Sequence, residues 1–103
     1  MTSPAIDTPA QPRNQTLRVS AADLRIWARA SLENLAVPVD DARLIAECLV
    51  QTSLWGIDSH GIARLPHYLG RIRGGSIHAK PEIRVQATGP CTARVDGGHG
   101  HGI

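Results

Sequence analysis

The sequence predicts an α+β fold in which three helices precede a short β region. Three observations carry this. Apolar residues recur at helical spacing between Leu24 and Ile72. The pattern then changes to alternation, with Ile83, Val85 and Ala87 separated by Arg84 and Gln86. Proline and glycine punctuate the chain at Pro38, Gly56, Gly74-Gly75 and Gly89-Pro90.

The first helix is expected to open at Ser20, which with Asp23 resembles a capping box carrying Asp in place of Glu or Gln. Leu24, Trp27, Ala28, Ser31, Leu32 and Leu35 form its periodic face, and it ends before Pro38 after about four turns. Val37-Pro38-Val39 reads as an extended link. Asp40 is the expected N-cap of the second helix, with Asp41 adding negative charge at its positive end. Leu44, Ile45, Cys48, Leu49 and Thr52 give that helix a wide apolar face, and Gly56 is a suitable stop. The first two helices are expected to pack as a hairpin. A third helix is expected from a cap at Asp58 or Ser59 to Gly74-Gly75, with Ile62, Leu65, Leu69 and Ile72 on one side and a kink at Pro66. Gly89-Pro90 reads as a turn, and Thr92 to Val95 as a second short strand candidate.

Composition bounds the rest. The chain has 103 residues, 42% apolar and 19% charged, enough for one small domain. Phe is absent and Trp27, Trp55 and Tyr68 are the only aromatics, so the core must be aliphatic. A net charge of +2 does not call for a polyanion partner. Two cysteines, Cys48 and Cys91, are too few for a disulfide framework and read as reduced thiols. No stretch is apolar enough to span a bilayer, and Met1 to Gln15 lacks the apolar region of a signal peptide, so a cytoplasmic protein is expected. Residues 1–16, with Pro4, Pro9 and Pro12, read as a disordered leader, and residues 17–103 as the folded part.

The stretch Asp58-Ser59-His60-Gly61-Ile62-Ala63-Arg64-Leu65-Pro66-His67-Tyr68 offers chemistry. In the first turn of a helix capped at Asp58 or Ser59, His60 would feel the positive helix end, which lowers a His pKa toward values useful in general acid–base work. Ser59 is adjacent to it. His60, Arg64 and Tyr68 stand at i, i+4 and i+8, so one helix face would present all three. An Arg one turn from such a His can grip a carboxylate with two hydrogen bonds. Spacing alone favours the plainer reading of a wet helix face. Two rival readings start from the same residues. A DNA-binding helix carrying His60, Arg64, His67, Arg71 and Arg73 is weakened by Gly61 and Pro66. A metal site at His99-Gly100-His101, with His78 nearby, lacks a third ligand at a recognisable spacing.

Beyond single motifs, Trp55 through Tyr68 resembles the signature near the start of the malate/L-lactate dehydrogenase family. The similarity runs on through Arg71-Ile72-Arg73-Gly74-Gly75, Ile77 and Pro81 to Val95-Asp96-Gly97 and Gly100-His101-Gly102, and it includes the helix pair before the signature. The resemblance covers residues 17–103 and implies an N-terminal segment of that fold. It implies hydride transfer between NAD or NADP and a 2-oxo or imino acid, without the usual Rossmann domain. It implies that His60 is a proton donor, Ser59 its relay partner, Arg64 a contact to the substrate carboxylate and Tyr68 a residue near the substrate. It leaves the cofactor-binding residues unassigned, expects no dedicated metal, nucleic-acid or membrane site, and makes full-length relatives homodimers. Family members are several times longer, so this chain alone is expected to be inactive and only marginally stable, with apolar surface left exposed. The alternative is a truncated fragment or small helical binding module without catalysis.

Overall fold

A computed structural model of the chain describes residues 17–103. The leader expected over residues 1–16 lies outside the described residues. The elements run α1 (Ala21–Asn34), α2 (Val39–Leu54), two single-turn 3-10 helices (Asp58–His60 and Ile62–Arg64), α3 (Leu65–Gly74), β1 (Arg84–Gly89) and β2 (Thr92–Asp96). Three helices followed by two strands is the expected α+β order.

Helix α1 opens as expected. Ser20 holds an extended backbone and its hydroxyl accepts from the Asp23 amide at 3.4 Å. That satisfies one of the amides a helix start leaves unpaired. Helix α2 departs from expectation at its start. Asp40 is not its cap: Val39 is already helical, and Pro38, with φ −56° and ψ 148°, leads into it with no side-chain cap. Proline's locked φ directs the chain into the helix, and Asp40 and Asp41 instead lie in the first turn, where negative charge is favoured. The buried stripe of α2 also differs from the expected face. It consists of Ala42, Ile45, Ala46, Leu49 and Val50, while Leu44 is half exposed. Ala42 and Ala46 are small enough for α1 to approach through Ala28 and Leu32, and this turns Leu44 outward.

All three helices close the same way. In each, an amide just past the helix end bonds back five residues, and the left-handed residue before it bonds back three. Around Ala36 the bonds are Val37 N–H to Leu32 O at 3.2 Å and Ala36 N–H to Glu33 O at 2.9 Å. Around Gly56 they are Ile57 to Thr52 at 3.2 Å and Gly56 to Ser53 at 2.9 Å. Around Gly75 they are Ser76 to Arg71 at 3.0 Å and Gly75 to Ile72 at 3.1 Å. Gly56 and Gly75 adopt φ of +83° and +87° without steric cost, whereas Ala36 holds φ +68° with a Cβ. The Val37 side chain that follows is buried on Leu32, which compensates.

The expected single third helix is replaced by two 3-10 turns and a shorter α-helix. Gly61, at φ −95° and ψ −145°, interrupts the helical path between them. Pro66 therefore falls in the first turn of α3, where its missing N–H costs nothing, and it does not kink the helix. Leu65 is fully buried among Leu32, Ile45 and Leu49, and Ile62, Leu69 and Ile72 pack around it as their spacing predicted.

The strands form one antiparallel hairpin with Val85 opposite Val95 and Ala87 opposite Ala93, and a register shift between Ala87 and Gly89 at the turn. Every residue in both strands is exposed. An isolated hairpin of this kind is marginal in water. It is tied to the helical body where the His78 amide donates to His99 O at 2.8 Å. Ile83, Val85 and Val95, together with Leu54, Trp55 and Ile57 beyond the other end of α2, leave a large apolar area uncovered. No helix among the described residues is long and apolar enough to cross a membrane. Cys48 and Cys91 are both free.

The three helix closures generate a paired expectation. Ala36→Gly should raise stability by about 0.5–1 kcal/mol, because it removes a left-handed Cβ. Gly75→Ala should lower stability by about 1 kcal/mol, for the converse reason. Urea unfolding followed by helical circular dichroism reads both, and equal midpoints for all three proteins would refute the strain argument.

Candidate active site

Ser59 and His60 end the first 3-10 turn, at the tip of the connection between α2 and α3. Their side chains meet, with Ser59 Oγ 2.8 Å from His60 Nδ1. Both residues are exposed, so the free Nε2 edge of the ring is open to a ligand. The helix-dipole reading of His60 is corrected: the α-helix starts five residues later, at Leu65, and His60 sits in a three-residue 3-10 turn.

The connection is held from beneath. Its N-terminal end is fixed by the Ile57 amide on Thr52 O, and its C-terminal side by the Ile62 amide, which donates to Ser53 Oγ at 2.8 Å. Gly61 lies buried against Ser53, and a Cβ there would overlap the Ser53 hydroxyl and approach the Ser53 Cβ and amide nitrogen to 3.0 Å. Glycine at 61 is therefore a packing requirement. The sequence alone did not single out Ser53. A lone Ser near a helix C-terminus carries no signal of a partner nine residues away.

The expected shared face of His60, Arg64 and Tyr68 is not formed as one α-helical face, because Gly61 breaks the helix between the first two. Arg64 ends the second 3-10 turn, exposed, with no ion pair among the described residues. A guanidinium without an internal partner is free to take a carboxylate. Tyr68 is half buried in α3 and packs edge-on against His101, with ring centroids 4.3 Å apart. It is thus drawn toward the glycine-rich loop. On the same helix the Arg71 Nε donates to His67 Nε2 at 3.0 Å, which engages two of the side chains that the DNA-helix reading needed.

That loop supplies His101, which the sequence offered only as a metal-ligand candidate. Both ring nitrogens of His101 are buried without a hydrogen-bond partner among the described residues. Burial pushes its pKa below the ordinary 6.5, since desolvation disfavours the charged ring. His101 lines a cavity of about 360 Å³ between the helices and the hairpin, with Ile45, Ile72, Pro81, Val95 and His99. Neither His60 nor Arg64 lines that cavity. The chemistry-bearing pair lies on the open face outside it, and the hydrogen-bonded geometry of that face is the better guide to function than the size of the cavity.

The glycine-rich loop does not form a phosphate cradle among the described residues. A Cβ on Gly98 would come within 2.9 Å of Glu82 O, and one on Gly100 within 2.5 Å of the Pro81 ring. These glycines serve close packing on Pro81 and Glu82. His78 and His99 stand with centroids 5.7 Å apart, while His101 turns to Tyr68, and no group of three or more metal-ligating side chains converges among the described residues.

A sequence model of the malate/L-lactate dehydrogenase family matches residues 19–103. The chain belongs to that family. It is 42% identical over 71 residues to a malate dehydrogenase of Pyrococcus horikoshii, covering 69% of this chain and 20% of the relative. It is 37% identical over 82 residues to an NADP(+) (2R)-3-sulfolactate dehydrogenase of Chromohalobacter salexigens, covering 80% and 24%. It is 38% identical over 77 residues to an NAD(+) ureidoglycolate dehydrogenase of Escherichia coli, covering 75% and 22%. The solved structure of the Pyrococcus horikoshii malate dehydrogenase superposes with a TM-score of 0.77 at 38% identity, over 82% of this chain and 24% of that one. The chain thus spans between a fifth and a quarter of the length of these relatives, and the described fold is a segment of the family fold.

Two measurements follow from the site. Gly61→Ala should destabilise the chain by about 1–3 kcal/mol through overpacking on Ser53, read as a lowered urea midpoint. The second concerns His101. Its folded pKa is below its unfolded value, so below pH 6.5 the unfolded chain binds more protons. Stability is then full above that value and falls as the pH drops below it, until the folded form is protonated as well. His101→Phe keeps an aromatic edge on Tyr68 and should flatten the dependence between pH 7.5 and 5. An unchanged slope would remove His101 as its source.

Proposed function

We propose that residues 17–103 carry the substrate side of a dehydrogenase that interconverts a 2-oxo acid, or a related imino acid, and its 2-hydroxy or amino counterpart. The observation that supports this best is the Ser59–His60 hydrogen bond of 2.8 Å on an open face, one 3-10 turn from an unpaired Arg64. In the reduction, Arg64 binds the substrate carboxylate. His60, protonated, donates through Nδ1 to Ser59 Oγ and through Nε2 to the substrate's carbonyl oxygen. It transfers the Nε2 proton as negative charge develops on that oxygen. Ser59 holds the ring and stabilises its cationic form. Tyr68 is a weaker contact, with its hydroxyl near the same ligand.

The hydride would come from a reduced nicotinamide cofactor, NADH or NADPH, for which the described glycine-rich loop forms no phosphate cradle. For that reason residues 17–103 alone are proposed not to turn over. The named substrates of the relatives share one chemistry: malate, sulfolactate and ureidoglycolate each carry a hydroxyl on the carbon next to a carboxylate. An Arg and a proton-donating His satisfy those two groups, which supports the class and leaves the remaining substituent open. The same reading makes the whole protein a cytoplasmic homodimer.

The test is an assay of the native gene product with a panel of 2-oxo acids, following NADH or NADPH absorbance. His60→Ala should lower kcat by about 10²–10⁴-fold. Arg64→Ala should chiefly raise KM for the acid. Wild-type kinetics in both variants would remove the assignment.

A further inference from the structure

We infer that Ser53 is a positioning residue for the Ser59–His60 pair. Three observations meet at this side chain. First, the connection that carries the pair is clamped at both ends on consecutive residues of the last turn of α2. The Ile57 amide bonds to Thr52 O at 3.2 Å, and the Ile62 amide bonds to Ser53 Oγ at 2.8 Å. Between those two points the chain runs only from Asp58 to Gly61, so the clamp sets the path of the backbone at 59 and 60.

Second, apart from the turn's own bond from the His60 amide to Ile57 O at 3.2 Å, no hydrogen bond to another part of the described residues holds the pair. Ser59 and His60 are exposed, and the sole side-chain hydrogen bond of either is the one between them. Side chains of adjacent residues do not face each other on a regular helix. Their meeting at 2.8 Å therefore depends on the backbone of the tight 3-10 turn, and that turn depends on its clamps.

Third, Gly61 is fitted to this bond. Its buried Cα lies under the Ser53 hydroxyl, with no room for a Cβ. The close approach lets Ser53 act across space as the cap of the second 3-10 turn, whose own start has no side-chain cap. The Thr52 clamp uses backbone atoms and survives any side-chain change. The Ser53 clamp is chemical and can be removed.

The catalytic meaning of this role rests on His60 being the proton donor, but the test reads geometry and needs no turnover. The full 103-residue chain, labelled with ¹⁵N, is compared with Ser53→Ala and Ser53→Thr by NMR. Alanine is well tolerated in a helix, so α2 should persist. If Ser53→Ala nevertheless fails to fold, Ser53→Cys keeps the shape with a much weaker acceptor and serves in its place.

In Ser53→Ala the Ile62 amide should exchange with solvent roughly tenfold faster. The ring-nitrogen shifts of His60 should move toward those of a free imidazole, while those of His78 stay unchanged. Ser53→Thr, which keeps the hydroxyl, should restore both. Faster exchange at Ile62 with unchanged His60 shifts would reduce Ser53 to a structural cap and overturn the inference. So would no change at either residue, or a failure of Thr to restore them. Loss of the catalytic reading through active His60→Ala enzyme would leave this geometric result standing, so the two failures are distinguishable.

Discussion

The seating of Leu65 decides the rest of the structure. Its side chain is fully buried among residues of α1 and α2, and it is the first residue of α3. Burial of a Leu contributes about 1.5–3 kcal/mol, a large share of what a small domain can have. Once Leu65 is docked, the chain from Leu54 must return to a set point in ten residues. The path breaks at Gly61 into two tight turns. The exposed tip of that broken path is where Ser59 and His60 meet. The site is thus a by-product of a core contact, held rigidly because the core is rigid.

The two faces of the molecule differ in finish. The helical body is closed, with capped or terminated helices and a continuous aliphatic core. The hairpin side is open. Val85 and Val95 are paired across the strands yet remain mostly exposed, and His101 has two buried nitrogens without partners. Buried polar atoms in folded proteins are nearly always satisfied. Apolar strands exposed on both faces are equally rare. Both features fit a chain that spans a fifth to a quarter of the length of its relatives.

Much of the fold could be read from the residues alone. Helical periodicity placed α1 and α2, Ser20 announced its own cap, and Gly56 and Gly75 marked their turns because only glycine enters the left-handed region freely. Alternation about Val85 and a Gly-Pro turn placed the two strands and the turn between them, and the structure supplied their pairing. The Ser59–His60 pair was legible as well, since its members are neighbours in sequence and their chemistry is intrinsic. These features depend on atoms a few residues apart, and local sequence determines local energies.

Tertiary structure decided what depends on distance. Which side of α2 is buried was settled by the small residues that let α1 approach, so Leu44 turned outward against its own hydropathy. Ala36 took a glycine's conformation because burying Val37 outweighs the cost. Pro66 became a first-turn residue only because Gly61 ended the helix before it. Gly61 in turn was required by Ser53, nine positions from the amide it holds. Tyr68 met His101, more than thirty residues along the chain. No periodicity or motif encodes such pairs, because each exists only after the helices have packed.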